Sequence, residues 1–311
     1  MKRGRLGVLL QLFASIVLLA LLAWRVPFAD ARAALTDLRP ATLLACLALT
    51  LLAYVGRARR WTLLLRRGGV ALPALDGYRL TLVGTFYGLF TPGRLGEFAR
   101  VMHVPAPRST TLPSVIWDRV ADVILLELLC VPGFLLVPAW RGPLLAGFVL
   151  VVLGTAFGVA LLASPVLASG AARLLPTFTA PLRRWSEHSH EMLRGGVSAS
   201  GLAWGAFFYA LTLPAAWILL RDLAPQASPL LVLGLPLLPL LGNLPIALGG
   251  LGLREQVSAT VFDSLGAGAA TGVVFSLAWF LVVTLIPGLL GVLLSAAIRA
   301  GRRGAGPERV R

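Results

Sequence analysis

The sequence predicts an all-α fold: a polytopic membrane helical bundle of about six full spans and two broken, re-entrant hairpins, arranged as an inverted repeat. Three observations support this prediction. The chain is 58% hydrophobic and only 13% charged, which is not the composition of a soluble domain. Apolar runs of membrane-spanning length recur from one end to the other. Two of these runs end in a Pro/Gly break beside arginine and glutamate, as interrupted membrane helices do.

Six apolar runs are candidate full spans, because a span needs about 17–25 residues. They are 6–24, 41–56, 120–139, 143–163, 199–220 and 269–298. The first run is longer than a signal-peptide core, so we interpret it as an uncleaved span. The second is short, so it either extends into Arg57 to Trp61 with snorkelling arginines or thins the bilayer locally.

Basic segments predict the orientation, because loops rich in Arg and Lys stay on the cytoplasmic side. Four segments are basic: the N-terminus, 57–79, 164–197 and the C-terminal tail. Six full spans place all four in the cytoplasm if the broken runs 78–111 and 228–268 each leave and return on one face. Each half then consists of two spans, a dipping hairpin and a third span, and the two halves have opposite orientations in the membrane. Six spans and two hairpins are equivalent to about eight helices. Alternatively, each broken run crosses the membrane as two helices, which preserves the parity too.

One integral membrane domain is expected at 1–298, followed by a basic cytoplasmic tail at 299–311. The net charge of +15 indicates contact with anionic lipid rather than nucleic acid. Cys46 and Cys130 lie in apolar runs and are interpreted as small buried hydrophobes. No nucleotide-binding fingerprint and no metal-spaced His/Cys set occurs. We therefore expect no cofactor, no metal and no catalytic residue.

The first broken run ends in a set of charges that share a spacing of three residues. Arg94, Glu97 and Arg100 are placed at i, i+3 and i+6, so one helical face can hold all three. Glu97 can pair with either arginine, which leaves one positive charge for an anionic group. Neighbouring helix breakers would free backbone N–H groups and place a helix start there: Pro92, Gly93 and Gly96. The alternative is a cytoplasmic loop with a solvated salt bridge.

Acidic residues lie just before the next span, 120–139, and inside it. Asp118 and Asp122 are four residues apart and share a helical face, and Arg119 lies about 100° round from Asp118. Asp122 and Glu127 lie inside the span and cannot both face lipid. They are candidates to neutralise an arginine (Arg94, Arg100 or Arg254) or to bind a proton or cation. Structural ion pairing and a functional role both remain open for them.

The second broken run contains the matching set of breakers and charges. Asn243 and Pro245 interrupt 228–248, and Arg254 and Glu255 follow. Three glycines lie between them as hinge candidates: Gly249, Gly250 and Gly252. We expect the Asn243 amide and the freed carbonyl groups to contact a lipid head group.

These motifs, in this order, resemble the membrane domain of lysylphosphatidylglycerol synthases, a flippase-like family. The matching stretches are Arg60-Trp61, Pro92 to Glu97 with Arg100, Asp118-Arg119 with Asp122, Pro245 with Gly249 to Glu255, and Pro287-Gly288. The resemblance covers nearly the whole chain. One departure is Asp118, because the family more often has Glu before this arginine.

The resemblance implies a translocase that moves a lipid between leaflets. In two-part members the resemblance implies that the membrane domain moves aminoacylated phosphatidylglycerol made by a soluble domain. The sequence ends at Arg311, so we expect no such domain and do not carry aminoacyl transfer over. We expect a bacterial inner-membrane protein with cytoplasmic termini that binds or moves an anionic phospholipid or a polyprenyl-phosphate lipid.

Two other functions remain as alternatives to transport. One is a non-transporting partner of a lipid- or envelope-modifying enzyme, which would dock on 57–79 and 171–194. The other is a head-group transferase with Glu97 or Asp118 as the base.

Overall fold

We analysed a computed structural model of the chain. It describes residues 16–17, 20, 36, 38–91, 94–164, 197–242, 244, 247 and 250–304. Every regular element within these ranges is helical, as the sequence predicts. The predicted span 6–24 lies almost wholly outside the described residues, and so does the basic segment 171–194.

Nine α-helices are found in the described part of the chain. They are α1 (Pro40–Arg67), α2 (Ala74–Leu89), α3 (Arg108–Leu136), α4 (Pro143–Ala163), α5 (Val197–Leu223), α6 (Leu237–Gly242), α7 (Leu253–Ser264), α8 (Ala269–Phe280) and α9 (Ile286–Gly304). Short 3-10 helices occur at Leu95–His103, Pro138–Trp140 and Pro229–Gly234, and a π-helical turn, Leu281–Leu285, joins α8 to α9.

Four stretches within the described residues are long and apolar enough to cross a membrane. They are Pro40–Arg67, Pro143–Leu161, Ala199–Leu223 and Ala269–Ile298, which correspond to four of the predicted spans. Helix α3 contains the fifth and has 29 residues. It begins at Arg108 rather than near 120. Asp118 and Arg119, which the sequence placed just before a span, therefore lie within the helix. Helix α9 continues to Gly304, past the predicted start of the tail.

Helix α1 corrects the prediction of a basic loop beginning at residue 57. Pro40 stands in its first turn, and Arg66 and Arg67 stand in its last, where positive charge suits the carbonyl end of a helix. The helix therefore runs straight through Arg57 and Arg60, which are only 7% and 1% exposed. The extension that the sequence allowed is right, but these two arginines do not snorkel to the surface.

Helices α1 and α5 pack antiparallel along their whole length. The Arg39 backbone N–H, just before α1, donates to Asp222 near the end of α5 (3.0 Å). The Cys46 thiol donates to the Ala215 carbonyl (3.1 Å), and Gly56 lies against the backbone of Trp204. These helices hold the same place in the two halves of the chain, so their opposite directions are those that an inverted repeat requires.

Each half also places its broken segment against the last long helix of the other half. Helix α2 runs antiparallel to α9: Arg79 donates to Ser295 (3.1 Å), and Gly291 lies against Leu82. In the corresponding contact, Gly133 of α3 lies against the Leu233 carbonyl before α6. The halves are therefore interlocked, and both broken segments are held at the centre of the bundle.

Candidate functional site

The first hairpin, Ala74–His103, consists of α2 and the 3-10 helix that folds back along it. A 3-10 helix has three residues per turn, so residues spaced by three lie on one face. Glu97 and Arg100 lie on the face that touches α2: a Cβ added at Gly88 would be 2.9 Å from Glu97 Cγ, and one at Gly84 would be 3.3 Å from Arg100 Cδ. Both charged residues are at least 97% buried, which excludes the solvated-loop alternative.

The Glu97 carboxylate is held by two arginines, but Arg100 is not one of them. Arg94 Nε lies 3.0 Å from Glu97 Oε1, and Arg119 of α3 forms an ion pair with Oε2. Arg94 precedes the 3-10 helix with a positive φ of 57°, an unusual conformation for a residue with a side chain. The turn thus directs the Arg94 side chain to the carboxylate three residues later.

Asp118 of α3 is the partner of Arg100. Arg100 Nη2 donates to Asp118 Oδ2 and Arg60 Nε donates to Oδ1, both at 2.6 Å. The carboxylate therefore joins α1, α3 and the 3-10 helix. Arg100 also stacks 4.3 Å from the centre of the Trp61 ring, a cation–π contact that favours a buried guanidinium.

Asp122, one turn further along α3, also binds two arginines of α1. It accepts hydrogen bonds from Arg57, from Arg60 Nη2 (3.1 Å) and from the Tyr209 hydroxyl (3.3 Å). Arg119 Nη1 lies 3.9 Å away. The sequence made Asp122 a candidate partner of Arg94, Arg100 or Arg254. Its ion-pair partners in the structure are other arginines, so that pairing was wrong.

We call these eight residues the arginine cluster: Arg57, Arg60, Arg94, Arg100, Arg119, Glu97, Asp118 and Asp122. Five guanidinium groups face three carboxylates, so the cluster carries an excess of two positive charges. Several of its buried nitrogens make no hydrogen bond with the described residues: Arg60 Nη1, Arg94 Nη2, Arg100 Nε and Arg119 Nε. Unbalanced buried charge is unfavourable unless an anion or water compensates it.

The second hairpin, Leu237–Ser264, consists of α6 and α7. A Cβ added at Gly242 would lie 3.0 Å from Arg254 Cβ, so a glycine at the end of the incoming helix again admits a charged residue. Arg254 pairs with its neighbour Glu255, and its Nε donates to Ser276 of α8 (3.0 Å). Neither Asp122 nor Glu127 neutralises Arg254, contrary to the sequence-based expectation.

Glu255 also caps α7, because its Oε2 accepts the Gly252 backbone N–H (2.8 Å). A glutamate three residues after the N-cap is the spacing of a capping box. Gly250 and Gly252 have positive φ values of 79° and 84°, which glycine adopts without strain. In the first hairpin the Gly96 N–H donates to Thr91 Oγ1 (2.5 Å). The Gly96 N–H, which we expected to be available to a ligand, is therefore already bonded, and so is the N–H of Gly252.

A cavity of about 90 Å³ lies where the two hairpins meet. Its polar wall contains Arg57, Arg94, Asp122, Tyr209 and Arg254, and its apolar wall is formed by α3, α5, α6 and the π-helical region. A water needs about 10–15 Å³ of such volume, so the cavity admits several waters or a head-group phosphate. It brings together an arginine from each hairpin, as the sequence predicts, whereas Arg100 and Asp118 lie behind this wall.

Two groups of residues remain, one predicted from the sequence and one not. The first lies outside the described residues: Pro92, Gly93, Asn243, Pro245 and Gly249. The second was not predicted as part of the site: Arg57, Arg60, Tyr209 and Ser276. Arg60 was part of the resemblance, and its spacing of three from Arg57 within a helical apolar run was the available signal. Nothing in the sequence pointed to Tyr209 or Ser276.

Cys46 and Cys130 are free and buried, as interpreted from the sequence. Among the described residues, no group of three His, Cys, Asp or Glu side chains could hold a metal ion.

Comparison with known proteins identifies a family. The family model described as "Lysylphosphatidylglycerol synthase TM region" matches residues 8–291, and it therefore covers both halves of the repeat and both hairpins. No curated protein matches the sequence.

Proposed function

The chain belongs to the lysylphosphatidylglycerol synthase TM region family, and we propose that it binds the anionic head group of a membrane lipid and moves the lipid between leaflets. The lipid is an anionic phospholipid or a polyprenyl-phosphate lipid. The proposed location is the bacterial inner membrane with both termini in the cytoplasm, since Arg59, Arg66 and Arg67 remain as exposed basic residues at the end of α1.

The excess of positive charge at the central cavity is the observation that carries this proposal. Arg94 borders the cavity with its Nη2 unpartnered among the described residues, and Arg57 and Arg254 stand on the same wall. A phosphodiester carries about one negative charge and a phosphomonoester about 1.5 to 2 at neutral pH. A phosphomonoester would balance nearly the whole excess of two and a phosphodiester about half of it, and the apolar wall would accept the first groups of the lipid chain.

The interlocked halves suggest how the lipid would pass. The cavity lies between two hairpins of opposite orientation, and each hairpin packs on the last long helix of the other half. A movement of one half against the other would therefore open one hairpin while the other closes, as in transporters built from inverted repeats.

The two alternatives have less support. Glu97 and Asp118 are poorly placed to act as a base, because each carboxylate lies between two guanidinium groups. The docking surface proposed on 57–79 loses Arg57 and Arg60 to the buried cluster. Binding of a soluble enzyme by the remaining exposed residues would be the result that favours the docking alternative.

Lipid transfer between leaflets in proteoliposomes tests the proposal. A labelled anionic lipid should cross faster with the wild-type protein than without it, and Arg94→Ala should slow it about 10- to 100-fold. This range corresponds to one lost hydrogen bond to a charged group, about 1.5–3 kcal/mol. Arg59→Ala is the matched control, because Arg59 is an exposed arginine on α1. Equal rates for Arg94→Ala and wild type would overturn the proposal.

A further inference from the structure

One carboxylate of α3 stands apart from the arginine cluster. Asp118 and Asp122 each bind two or more arginines, and Glu97 and Glu255 are paired as well. Glu127, on the same helix, has no Arg or Lys within ion-pair distance among the described residues, and its buried Oε1 accepts no hydrogen bond there. The structure thus separates the two candidates that the sequence left open for proton or cation binding.

The surroundings of Glu127 are those of a membrane-facing helix surface. Its neighbour Leu128 is 61% exposed and Val131 is 40% exposed, while Glu127 itself is half-buried and lies beside Thr155 of α4. The elements that pack on α3 from this side are α4, the Pro229–Gly234 turn and α6, and none of them contains a charged or titratable residue. The titratable neighbour on α3 itself is the Cys130 thiol.

A groove beside this surface shares a wall with the head-group cavity. It has a volume of about 390 Å³ and extends along α3 and α4 from Arg119 to Thr155. Leu126 and Pro239 line both this groove and the central cavity. At Gly154, beside Thr155, an added Cβ would meet nothing within 4 Å. Thr155 lines the groove and its side chain is hydrogen-bonded to Glu127, so water that accompanies a head group into the groove would reach this polar pair.

We propose that Glu127 is a proton-binding site whose occupancy is coupled to lipid movement, an inference that rests on the proposed function. When hydrocarbon fills the groove, the carboxyl group is neutral, because an unpaired carboxylate is unfavourable there. When the groove is wet, the group releases its proton to water and becomes a carboxylate. It takes a proton back from water before the groove closes. No other reactant is required.

Infrared difference spectra of the purified protein in lipid nanodiscs test the site itself. At neutral pH, where exposed carboxyl groups are ionised, the wild type should show a carboxylic-acid carbonyl band that disappears when the pH is raised, and this band should be absent in Glu127→Gln. Glu127→Asp, which retains a titratable group, should show a shifted band, and Asp76→Asn, which changes a carboxylate paired with Arg79, should keep the wild-type band. Persistence of the band in Glu127→Gln, or no band that changes with pH in the wild type, would overturn the proposal.

Transfer in proteoliposomes with a pH difference across the membrane tests the coupling. For one proton per lipid, each pH unit should shift the wild-type leaflet ratio about tenfold, whereas Glu127→Gln should equilibrate to the same ratio with or without the gradient. A wild-type ratio that ignores the gradient would overturn the coupling. If no variant moves lipid although the Glu127 band titrates, the proposed function fails and the proton site stands.

Discussion

The two hairpins are built in the same way but differ in how their charges are balanced. In both, a glycine near the end of the incoming helix, Gly88 or Gly242, admits a charged residue of the returning limb. The second hairpin balances its own charge, because Arg254 and Glu255 are adjacent and paired. The first shares its charges with α1 and α3 and retains an excess of two. The charges of the second hairpin are balanced and can serve the stability of the fold alone. The excess positive charge of the first favours binding of an anion.

The largest effect should come from removing a carboxylate that holds two arginines. Asp118→Asn leaves Arg100, about 1% exposed, without its counter-charge, and leaves the equally buried Arg60 with Asp122 alone. We expect the free energy of unfolding to fall by about 3–5 kcal/mol, measured by denaturation in mixed micelles. Asp76→Asn is the control and should cost about 1 kcal/mol or less, since its pair with Arg79 is partly exposed. Similar losses in the two variants would contradict the distinction.

A smaller loss is expected in the second hairpin, where one guanidinium depends on the carboxylate. Glu255→Gln removes the charge opposite Arg254 but keeps an acceptor for the Gly252 N–H. It should cost about 1.5–3 kcal/mol in the same assay, and Glu255→Ala should cost about 1 kcal/mol more, because the cap is lost as well. If Glu255→Gln were as damaging as Asp118→Asn, the second hairpin would not be electrostatically self-contained.

The feature that the hairpins share should give the smallest change in stability. Gly88→Ala and Gly242→Ala place a Cβ at 2.9 and 3.0 Å from the charged residue opposite, so each should cost about 1–3 kcal/mol. Gly154→Ala on α4 is the matched control, because nothing lies within 4 Å of the added Cβ. The thermal midpoint of this control should stay equal or rise slightly, since alanine favours a helix by up to about 1 kcal/mol. A fall as large as those of the two hairpin variants would show that the close approach is not the cause.

Local patterns were enough to predict the long helices among the described residues, the two hairpins and the charged face of the first one, although the bounds of α1 and α3 differ from those predicted. Apolar length defines a span, and a Pro/Gly break followed by Arg94, Glu97 and Arg100 marks a chain reversal. The spacing of these residues was informative because the returning limb is a 3-10 helix with three residues per turn.

The pairing of charges could not be predicted, because it depends on residues that are distant in the chain. Arg57 and Arg60 follow an apolar run, where cytoplasmic arginines are common. Only the packing of α3 on α1 shows that Asp118 and Asp122, about 60 residues later, hold them in the interior. By contrast, the role of Glu255 as a helix cap could have been predicted from the sequence, because it depends only on the spacing of three residues from Gly252.

Equilibrium binding of a labelled anionic lipid is the measurement that tests the central claim most directly, with a zwitterionic lipid as the reference. We expect the wild type to prefer the anionic lipid and Arg94→Ala to lose about 10- to 100-fold in affinity for it. Arg254→Ala should lose less, because Glu255 already balances that charge. Unchanged preference for the anionic lipid in Arg94→Ala would contradict the claim that the excess charge of the first hairpin binds the head group.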